Sequence, residues 1–266
     1  MYRLIFILLV FLPPRFQPHR FIFQKKLFSR YGYTLPYRIL YPPYYNENKS
    51  YPVLTLLHGS GERGTDNRAQ LLRGGSLFER DDVRKRFPAI VIFPQCPEDS
   101  VWSYFTSTPD NSNITGRTIS FRFSAHPPSS ALLVKLLLDS LVAAKKADPD
   151  RMYIGGLSLG GFGAFDMIER YPGYFAAAFP VCGGGDTSTA DRFARKVSVW
   201  MFHGAVDKVV DVSYSRQYYN VLKRLGADVR YTEYPRVGHN SWDWVFEEKD
   251  LLPWVFSKSR RIQVNP

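Results

Sequence analysis

The chain has 266 residues, of which 45% are hydrophobic and 22% are charged. This length suits one large α/β unit, and the composition excludes a disordered chain. The formal net charge is +11 at pH 7, but the basic residues are scattered and form no nucleic-acid motif, so we expect a solvated basic surface and no nucleic-acid partner. Only two cysteines occur, Cys96 and Cys182, which excludes a disulfide-dense scaffold and a four-cysteine zinc site.

An apolar run at residues 4–12 follows the N-terminal methionine and ends at Pro13-Pro14. It is too short to cross a bilayer as a helix, so we expect no stable membrane insertion. Its length is that of a signal-peptide core, although no small-residue cleavage site follows. Residues 1–20 are therefore interpreted as a degenerate export signal or an apolar arm. Secretion or a periplasmic location is the expectation, and a cytoplasmic location is the alternative.

Residues 21–266 are predicted to form a single α/β domain. Apolar and polar residues alternate at 21–27 and 34–40, which predicts an antiparallel entry ribbon. Continuous apolar runs follow, as is typical of parallel strands covered on both faces; they are residues 53–57, 89–93, 151–156, 175–181, 197–202 and 229–234. Helical patterns lie at 130–146 and 213–225. This alternation predicts a doubly wound, mostly parallel sheet with helices on both faces.

Residues 97–129 interrupt the alternation and are rich in Ser, Thr, Pro and Asn. A long irregular segment within a compact domain is usually functional. We therefore predict that this segment is an inserted loop or lid.

The sequence Gly156-Leu157-Ser158-Leu159-Gly160 matches the pattern G-x-S-x-G. It directly follows a predicted buried strand and precedes a glycine-rich segment with helical character. In a nucleophile elbow the serine occupies a sharp strand-to-helix turn, and small neighbours relieve the crowding there. The helix N-terminus also favours developing negative charge. The motif in this context predicts that Ser158 is a catalytic nucleophile.

A serine hydroxyl needs a base to take its proton. His239 lies in a loop after the last predicted strand, where the order serine, acid, histidine would place that base. Asp207 follows the preceding strand and is the favoured acid, with Asp211 as the alternative that could instead cap a helix. We expect His58 and His203, which each precede a glycine after a strand, to hold loops by hydrogen bonds.

The first strand of the predicted parallel sheet ends in the glycine-rich segment at residues 58–64. Such a loop lets a backbone N–H point at the substrate oxygen. We predict an oxyanion hole made by the amides of Ser60 and Leu159, with Gly61 as the alternative to Ser60.

Two tryptophans are candidates for the walls of a substrate pocket. Trp102 lies near the start of the insertion, and Trp242 lies three residues after His239. Both positions fall over the carboxyl ends of the strands, where ligands bind in α/β sheets. We predict that both rings contact the substrate, and the alternative is that they pin their loops to the core.

These motifs together resemble a known group of α/β-hydrolases. The resemblance rests on HGSGERGTDN at residues 58–67, PQCP at 94–97, the elbow, PVCGGGD at 180–186 and GHN at 238–240. The group is that of the predicted peptidases and esterases related to feruloyl esterases, polyhydroxybutyrate depolymerases and dienelactone hydrolases. The resemblance implies the α/β-hydrolase fold and cleavage of short-chain or aryl carboxylic esters, with no metal and no cofactor. It places the triad at Ser158, Asp207 and His239, and the oxyanion loop at Ser60.

Three other functions are compatible with this fold. A serine peptidase of the same fold is one alternative, and a non-catalytic binding protein is another, although the presence of all three triad residues disfavours the latter. A long-chain lipase would need a broad apolar lid, whereas residues 97–129 are mostly polar. The expected partner is a small-molecule or polymer-linked ester, and the oligomeric state is left open between monomer and dimer.

The two cysteines are expected to be unpaired. Their strands are expected to be separated by two others in the sheet, a distance of about 14 Å at the usual strand spacing, which is beyond disulfide reach.

Overall fold

The computed structural model describes residues 22–260. The signal or arm interpretation of residues 1–20 lies outside the described residues. Within the described part of the chain, no helix has both the length and the apolar character needed to cross a membrane.

The described chain contains ten strands, eight of which form the main sheet. In chain order they are β1 (Gln24–Arg30), β2 (Tyr33–Leu40), β3 (Tyr51–Leu57), β4 (Ile90–Pro94), β5 (Phe105–Pro109), β6 (Arg117–Phe121), β7 (Ala147–Leu157), β8 (Ala177–Val181), β9 (Ser198–Gly204) and β10 (Val229–Tyr234). The main sheet has the order β1-β2-β4-β3-β7-β8-β9-β10. The first two pairings, β1 with β2 and β2 with β4, are antiparallel, and every later pairing is parallel. The predicted entry ribbon and the mostly parallel sheet are therefore confirmed.

Seven α-helices cover the sheet in the described residues. They are α1 (Gly75–Glu79), α2 (Asp81–Arg86), α3 (Ser129–Ala143), α4 (Leu159–Arg170), α5 (Ser213–Arg224), α6 (Trp242–Val245) and α7 (Leu251–Ser257). Apolar residues of α3, α4 and α5 join one buried cluster, and those of α1, α2, α6 and α7 join a second one. The strands contribute to both clusters because their residues are buried on both faces, which is what the continuous apolar runs predicted.

The insertion is more regular than predicted. Instead of an irregular loop, β5 and β6 form an antiparallel hairpin in which Phe105 pairs with Phe121. Both rings pack edge-on against Phe162 of α4, at centroid distances of 5.3 and 4.9 Å. The Ser and Thr content favoured a loop interpretation, yet threonine and isoleucine are also good strand formers when one face is covered. The hairpin therefore lies over the start of the helix that follows Ser158.

Cys96 and Cys182 are both free and buried, as predicted. They follow β4 and β8, and β3 and β7 lie between those two strands.

Candidate active site

Ser158 lies in a strained turn between β7 and α4. Its backbone has φ 55° and ψ −114°, a region that non-glycine residues rarely adopt. The turn is possible because its neighbours lack side chains. A Cβ at Gly156 would lie 1.9 Å from the carbonyl oxygen of Gly160, and one at Gly160 would lie 2.0 Å from the carbonyl oxygen of Leu57. The motif glycines thus allow the backbone approach that raises the Ser158 side chain above the sheet.

The structure brings the three predicted triad residues into one hydrogen-bonded chain. His239 Nε2 lies 2.9 Å from Ser158 Oγ, and His239 Nδ1 lies 2.7 Å from Asp207 Oδ2. An ionised carboxylate only accepts hydrogen bonds, so Nδ1 carries the ring proton and Nε2 is free to accept the serine proton. Asp211, the alternative acid, instead accepts a hydrogen bond from the amide of Ser213 at the start of α5.

Asp207 is buried and its carboxylate is fully hydrogen-bonded. Oδ1 accepts from the amides of Val209 and Val210, at 2.8 and 3.0 Å. Oδ2 lies 3.2 Å from His203 Nε2 in addition to its contact with His239. Burial alone raises the pKa of Asp207, but the hydrogen bonds from His203 and His239 outweigh it and hold the pKa well below its usual range. The carboxylate is therefore charged at neutral pH and orients His239.

His203 has a more specific position than the sequence predicted. It is fully buried, and its Nε2 lies 3.0 Å from the carbonyl oxygen of Val210 as well as near Asp207. Both neighbours are acceptors, so Nε2 carries the proton, and Nδ1 faces the hydroxyl of Ser215 at 2.8 Å. The expectation that His203 holds a loop is met, but the loop is the one that carries the triad acid.

His58 also holds a loop, as expected. Its Nδ1 donates to the carbonyl oxygen of Gly59 at 2.6 Å, and its Nε2 accepts from the amide of Cys96 at 2.9 Å. Burial lowers the pKa of His58 to about 4, so the ring is neutral. It ties the segment that precedes Ser60 to the end of β4.

The two predicted oxyanion donors both begin a helical turn. Ser60 is the first residue of a short 3₁₀ helix, Ser60–Glu62, and Leu159 is the first residue of α4. The first N–H groups of a helix have no acceptor within the helix. Both residues line a cavity of about 190 Å³ together with Ser158.

The same cavity has largely apolar walls. They come from the hairpin, from α4, from the segment before β5 and from the loop after Asp207, and the residues are Val101, Phe105, Ile119, Phe162, Val209 and Val210. The sequence identified none of these six as pocket residues, because neither the pairing of β5 with β6 nor the packing of α4 and the loops around Ser158 leaves a local pattern.

The prediction that Trp102 forms a pocket wall is wrong. Its side chain is fully buried, with Nε1 donating to the carbonyl oxygen of His58 at 3.1 Å. A Cβ at Gly163 of α4 would lie 2.4 Å from Trp102 Cβ, so the tryptophan packs directly against the helix. Trp102 pins its loop to the core, which was the alternative interpretation.

Trp242 is also absent from the walls of the cavity beside Ser158. Its ring lies edge-on to His239 at a centroid distance of 5.3 Å and lines a separate cavity of about 600 Å³ with Arg73, Leu77 and Phe246. The chain turns into α6 at this residue and directs the ring toward α1. Trp242 therefore contacts His239 rather than the cavity beside Ser158.

Cys182 lies beneath the triad. In the described residues one group of side chains could share a metal ion, and it consists of Cys182, Asp207 and His239, whose ligand atoms all lie within 4.8 Å of one another. The carboxylate and the imidazole are already hydrogen-bonded to each other. Burial, and next the charge of Asp207, raise the pKa of the Cys182 thiol. The thiol is therefore neutral.

Comparison with known proteins agrees with this geometry. The family model described as "Phospholipase/Carboxylesterase" matches residues 45–249. The chain belongs to this family and has the α/β-hydrolase fold, which makes it a carboxylesterase-type hydrolase. It is 30% identical over 194 residues to the "Probable carboxylesterase" of Oryza sativa subsp. japonica, covering 70% of this chain and 80% of the rice protein.

Solved structures give the same class. A thermostable esterase superposes with a TM-score of 0.79 at 36% identity, over 90% of this chain and 63% of that one. The chain thus spans less than two thirds of that esterase. A ferulic acid esterase shares the fold, with a TM-score of 0.66 at 18% identity over 88% of this chain and 98% of that one. The esterase group predicted from the sequence motifs is confirmed.

Proposed function

We propose that this chain is a serine carboxylesterase that hydrolyses short-chain or aryl carboxylic esters through an acyl-enzyme intermediate. One observation supports this above all others. The hydroxyl of Ser158 is hydrogen-bonded to the unprotonated nitrogen of His239 and faces a cavity that also contains the two predicted oxyanion donors.

Acylation follows from these positions. Ser158 Oγ attacks the ester carbonyl carbon while His239 Nε2 takes its proton, and Asp207 stabilises the imidazolium that forms. The carbonyl oxygen gains negative charge, which the amides of Ser60 and Leu159 and the N-terminus of α4 stabilise. His239 then protonates the leaving alcohol, and the acyl group stays on Ser158.

Deacylation repeats the same steps with water. His239 removes a proton from the water that attacks the acyl carbon, and it returns that proton to Ser158 Oγ as the carboxylic acid leaves. These groups account for the whole cycle without a metal or a cofactor.

The substrate class is inferred from the cavity. A volume of about 190 Å³ with apolar walls suits a short acyl chain or a single aromatic ring better than a long fatty chain. Phe105 and Phe121 of the hairpin pack edge-on against Phe162, which lies one helical turn after Ser158. A flat substrate can pack against these aromatic rings. A small-molecule ester and an ester linked to a polymer chain both fit this description.

The test is a panel of 4-nitrophenyl esters from acetate to dodecanoate, together with methyl ferulate and acetylated xylan. We expect kcat/KM to be highest at two to four acyl carbons, or with the aryl ester, and to fall steeply beyond about eight carbons. A flat profile, or a maximum at dodecanoate, would contradict the proposed substrate class. Absence of turnover with every ester, in protein of native fold, would contradict the proposed activity.

A further inference from the structure

Two arginines line the cavity beside Ser158. Arg63 follows the 3₁₀ helix Ser60–Glu62, and Arg117 begins β6 of the hairpin, so they belong to distant parts of the sequence. Neither forms an ion pair with a carboxylate among the described residues. Two positive charges without a partner carboxylate beside a largely apolar cavity need a functional explanation, because charged groups in partly buried sites are usually paired.

Backbone carbonyls hold Arg63 in place. Its Nε donates to the carbonyl oxygen of Ser60 at 3.2 Å, and its Nη1 donates to that of Glu98 at 2.9 Å, with a weaker contact of 3.5 Å to Ser100. The side chain is therefore fixed beside this 3₁₀ helix. Nη2 has no partner among the described residues, so it remains available as a donor.

Arg117 is held on the side of the triad acid. Its Nη2 donates to the carbonyl oxygen of Val209 at 2.7 Å, and the amide of Val209 in turn donates to Asp207. Nε and Nη1 of Arg117 have no partner among the described residues. The Nε–H lies on the side of Nη2 rather than of Nη1, so the free Nε and Nη1 groups are two separate donors, each able to donate to a carboxylate oxygen.

Three neighbouring acids already have other partners: Glu62 lies 3.9 Å from Arg73, and Asp207 and Asp110 are hydrogen-bonded. Asp207 is saturated by its two histidines and two amides. Asp110, at the end of β5, is engaged by Ser112, Asn113 and Thr118. The apolar walls also lower the local dielectric, which strengthens an ionic contact made inside the cavity.

We propose that the cavity selects esters that bear a carboxylate, which Arg63 and Arg117 bind while Ser158 attacks the ester carbonyl. This inference rests on the proposed esterase function and specifies its substrate class. The apolar walls would contact the short hydrocarbon spacer or ring between the ester and the carboxylate. A neutral ester of the same shape would leave both guanidinium groups without a counter-charge.

The experiment compares two matched pairs of substrates. In the first pair the carboxylate is on the acyl side: mono-4-nitrophenyl glutarate against 4-nitrophenyl 5-methylhexanoate, which replaces the carboxylate oxygens by methyl groups. In the second pair it is on the alcohol side: 4-acetoxybenzoate against its methyl ester. We expect the native protein to favour the anionic member of at least one pair about ten-fold or more in kcat/KM. The pair that shows the preference identifies the side that the arginines bind.

Variants of the two arginines test whether their side chains recognise the substrate carboxylate or only support their loops. Arg117→Gln should reduce the anionic-to-neutral ratio about ten-fold, Arg63→Gln should reduce it in the same direction, and Arg117→Lys should keep part of it. Arg195→Gln is the matched control, since Arg195 also donates only to a backbone carbonyl, that of Leu225, and does not line this cavity. It removes the same charge and should leave the ratio as in the native protein.

The outcomes distinguish this inference from the function on which it rests. A native protein that hydrolyses the neutral esters without preferring the anionic ones would overturn the carboxylate selectivity alone. Equal loss of both activities in Arg117→Gln would overturn it too, because the arginine would then only fasten the hairpin. If neither neutral nor anionic esters were hydrolysed, the esterase proposal itself would fail. A preference that falls between 20 mM and 500 mM NaCl would support an ionic contact.

Discussion

Asp207 contacts both histidines of the site, His203 and His239. Its Oδ2 contacts His239 and its Oδ1 accepts two amides, whereas Asp211 contacts only the first turn of α5. Asp207→Asn should lower kcat on the order of 10⁴-fold, because an amide cannot hold His239 in the tautomer that accepts the serine proton. Asp211→Asn, the matched control, keeps a capping oxygen and should stay within about two-fold of the native rate. Steady-state kinetics on one short-chain ester measure kcat for both variants. A larger loss of kcat in Asp211→Asn than in Asp207→Asn would assign the role of the acid to Asp211.

His203 acts as a positioning residue through Asp207. A hydrogen bond to a charged group contributes roughly 1.5–3 kcal/mol, so His203→Leu should lower kcat/KM about ten-fold or more. Asp207 would then lose one of the two imidazole hydrogen bonds that hold its pKa below the usual range, so the pKa of Asp207 would rise. We therefore expect the acid limb of the pH profile of kcat/KM to move to higher pH. His203→Gln keeps a hydrogen-bond donor, so its acid limb should lie at the pH of the native protein. A loss of rate with an unmoved limb in both variants would indicate a purely structural role.

At the scale of single elements, the 3₁₀ helix at Ser60 allows a test of the oxyanion hole that leaves the side chains of the triad intact. The preceding residue, Gly59, has φ −76° and ψ −179°, an extended conformation compatible with a following proline. Proline also fits the first position of a helical turn, where it removes only an N–H. Ser60→Pro should therefore lower kcat about 10²–10³-fold with little change in melting temperature.

The matched control for this helix is Ser60→Ala, which keeps the amide. It should retain most of the native kcat. If alanine caused as large a loss as proline, the donor would be the hydroxyl of Ser60 rather than its backbone N–H.

Helix α4 carries a buried acid, Glu169, near its C-terminal end. Burial raises the pKa of Glu169 from 4.5 to about 8, and its carboxyl group contacts the hydroxyl of Tyr218. Folding therefore favours the protonated acid. Its contribution to stability is complete below pH 4.5 and is lost as the pH rises toward 8, by an amount on the order of several kcal/mol.

Glu169→Gln should remove this dependence, because the amide cannot ionise. In scanning calorimetry, we expect the melting temperature of the variant minus that of the native protein to increase from pH 5 to pH 9. Glu47→Gln, at an exposed position, is the control and should run parallel to the native curve. A native and a Glu169→Gln protein with parallel pH curves would contradict the buried, protonated state.

At the scale of the whole molecule, the sequence predicted the sheet and the proximity of Ser158, Asp207 and His239, but not the walls of the cavity. The six apolar runs became β3, β4, β7, β8, β9 and β10, because strands buried on both faces leave a continuous hydrophobic pattern. The triad followed from the elbow motif and from the positions of Asp207 and His239 after their strands.

The walls of the cavity depend on contacts between residues that are distant in the sequence, and local sequence patterns do not predict such contacts. The hairpin was hidden by its Ser and Thr content, and its docking on Phe162 brings Ile119 and Arg117 into the cavity. The prediction for Trp102 failed for a related reason. Its position near the carboxyl edge of the sheet was predicted correctly, but its ring points inward against α4. Only the fold shows which side of a loop residue faces the substrate.

The central claim is that Ser158 is a nucleophile activated by His239 and Asp207. The most direct measurement is titration with a fluorophosphonate, followed by intact-protein and peptide mass spectrometry. We expect one phosphonyl group per chain, located on Ser158, with complete loss of ester hydrolysis in step with labelling. His239→Gln should fold normally and label at least 100-fold more slowly, and Ser158→Ala should not label. Labelling at another residue, or hydrolysis that persists after Ser158 is fully modified, would contradict the account.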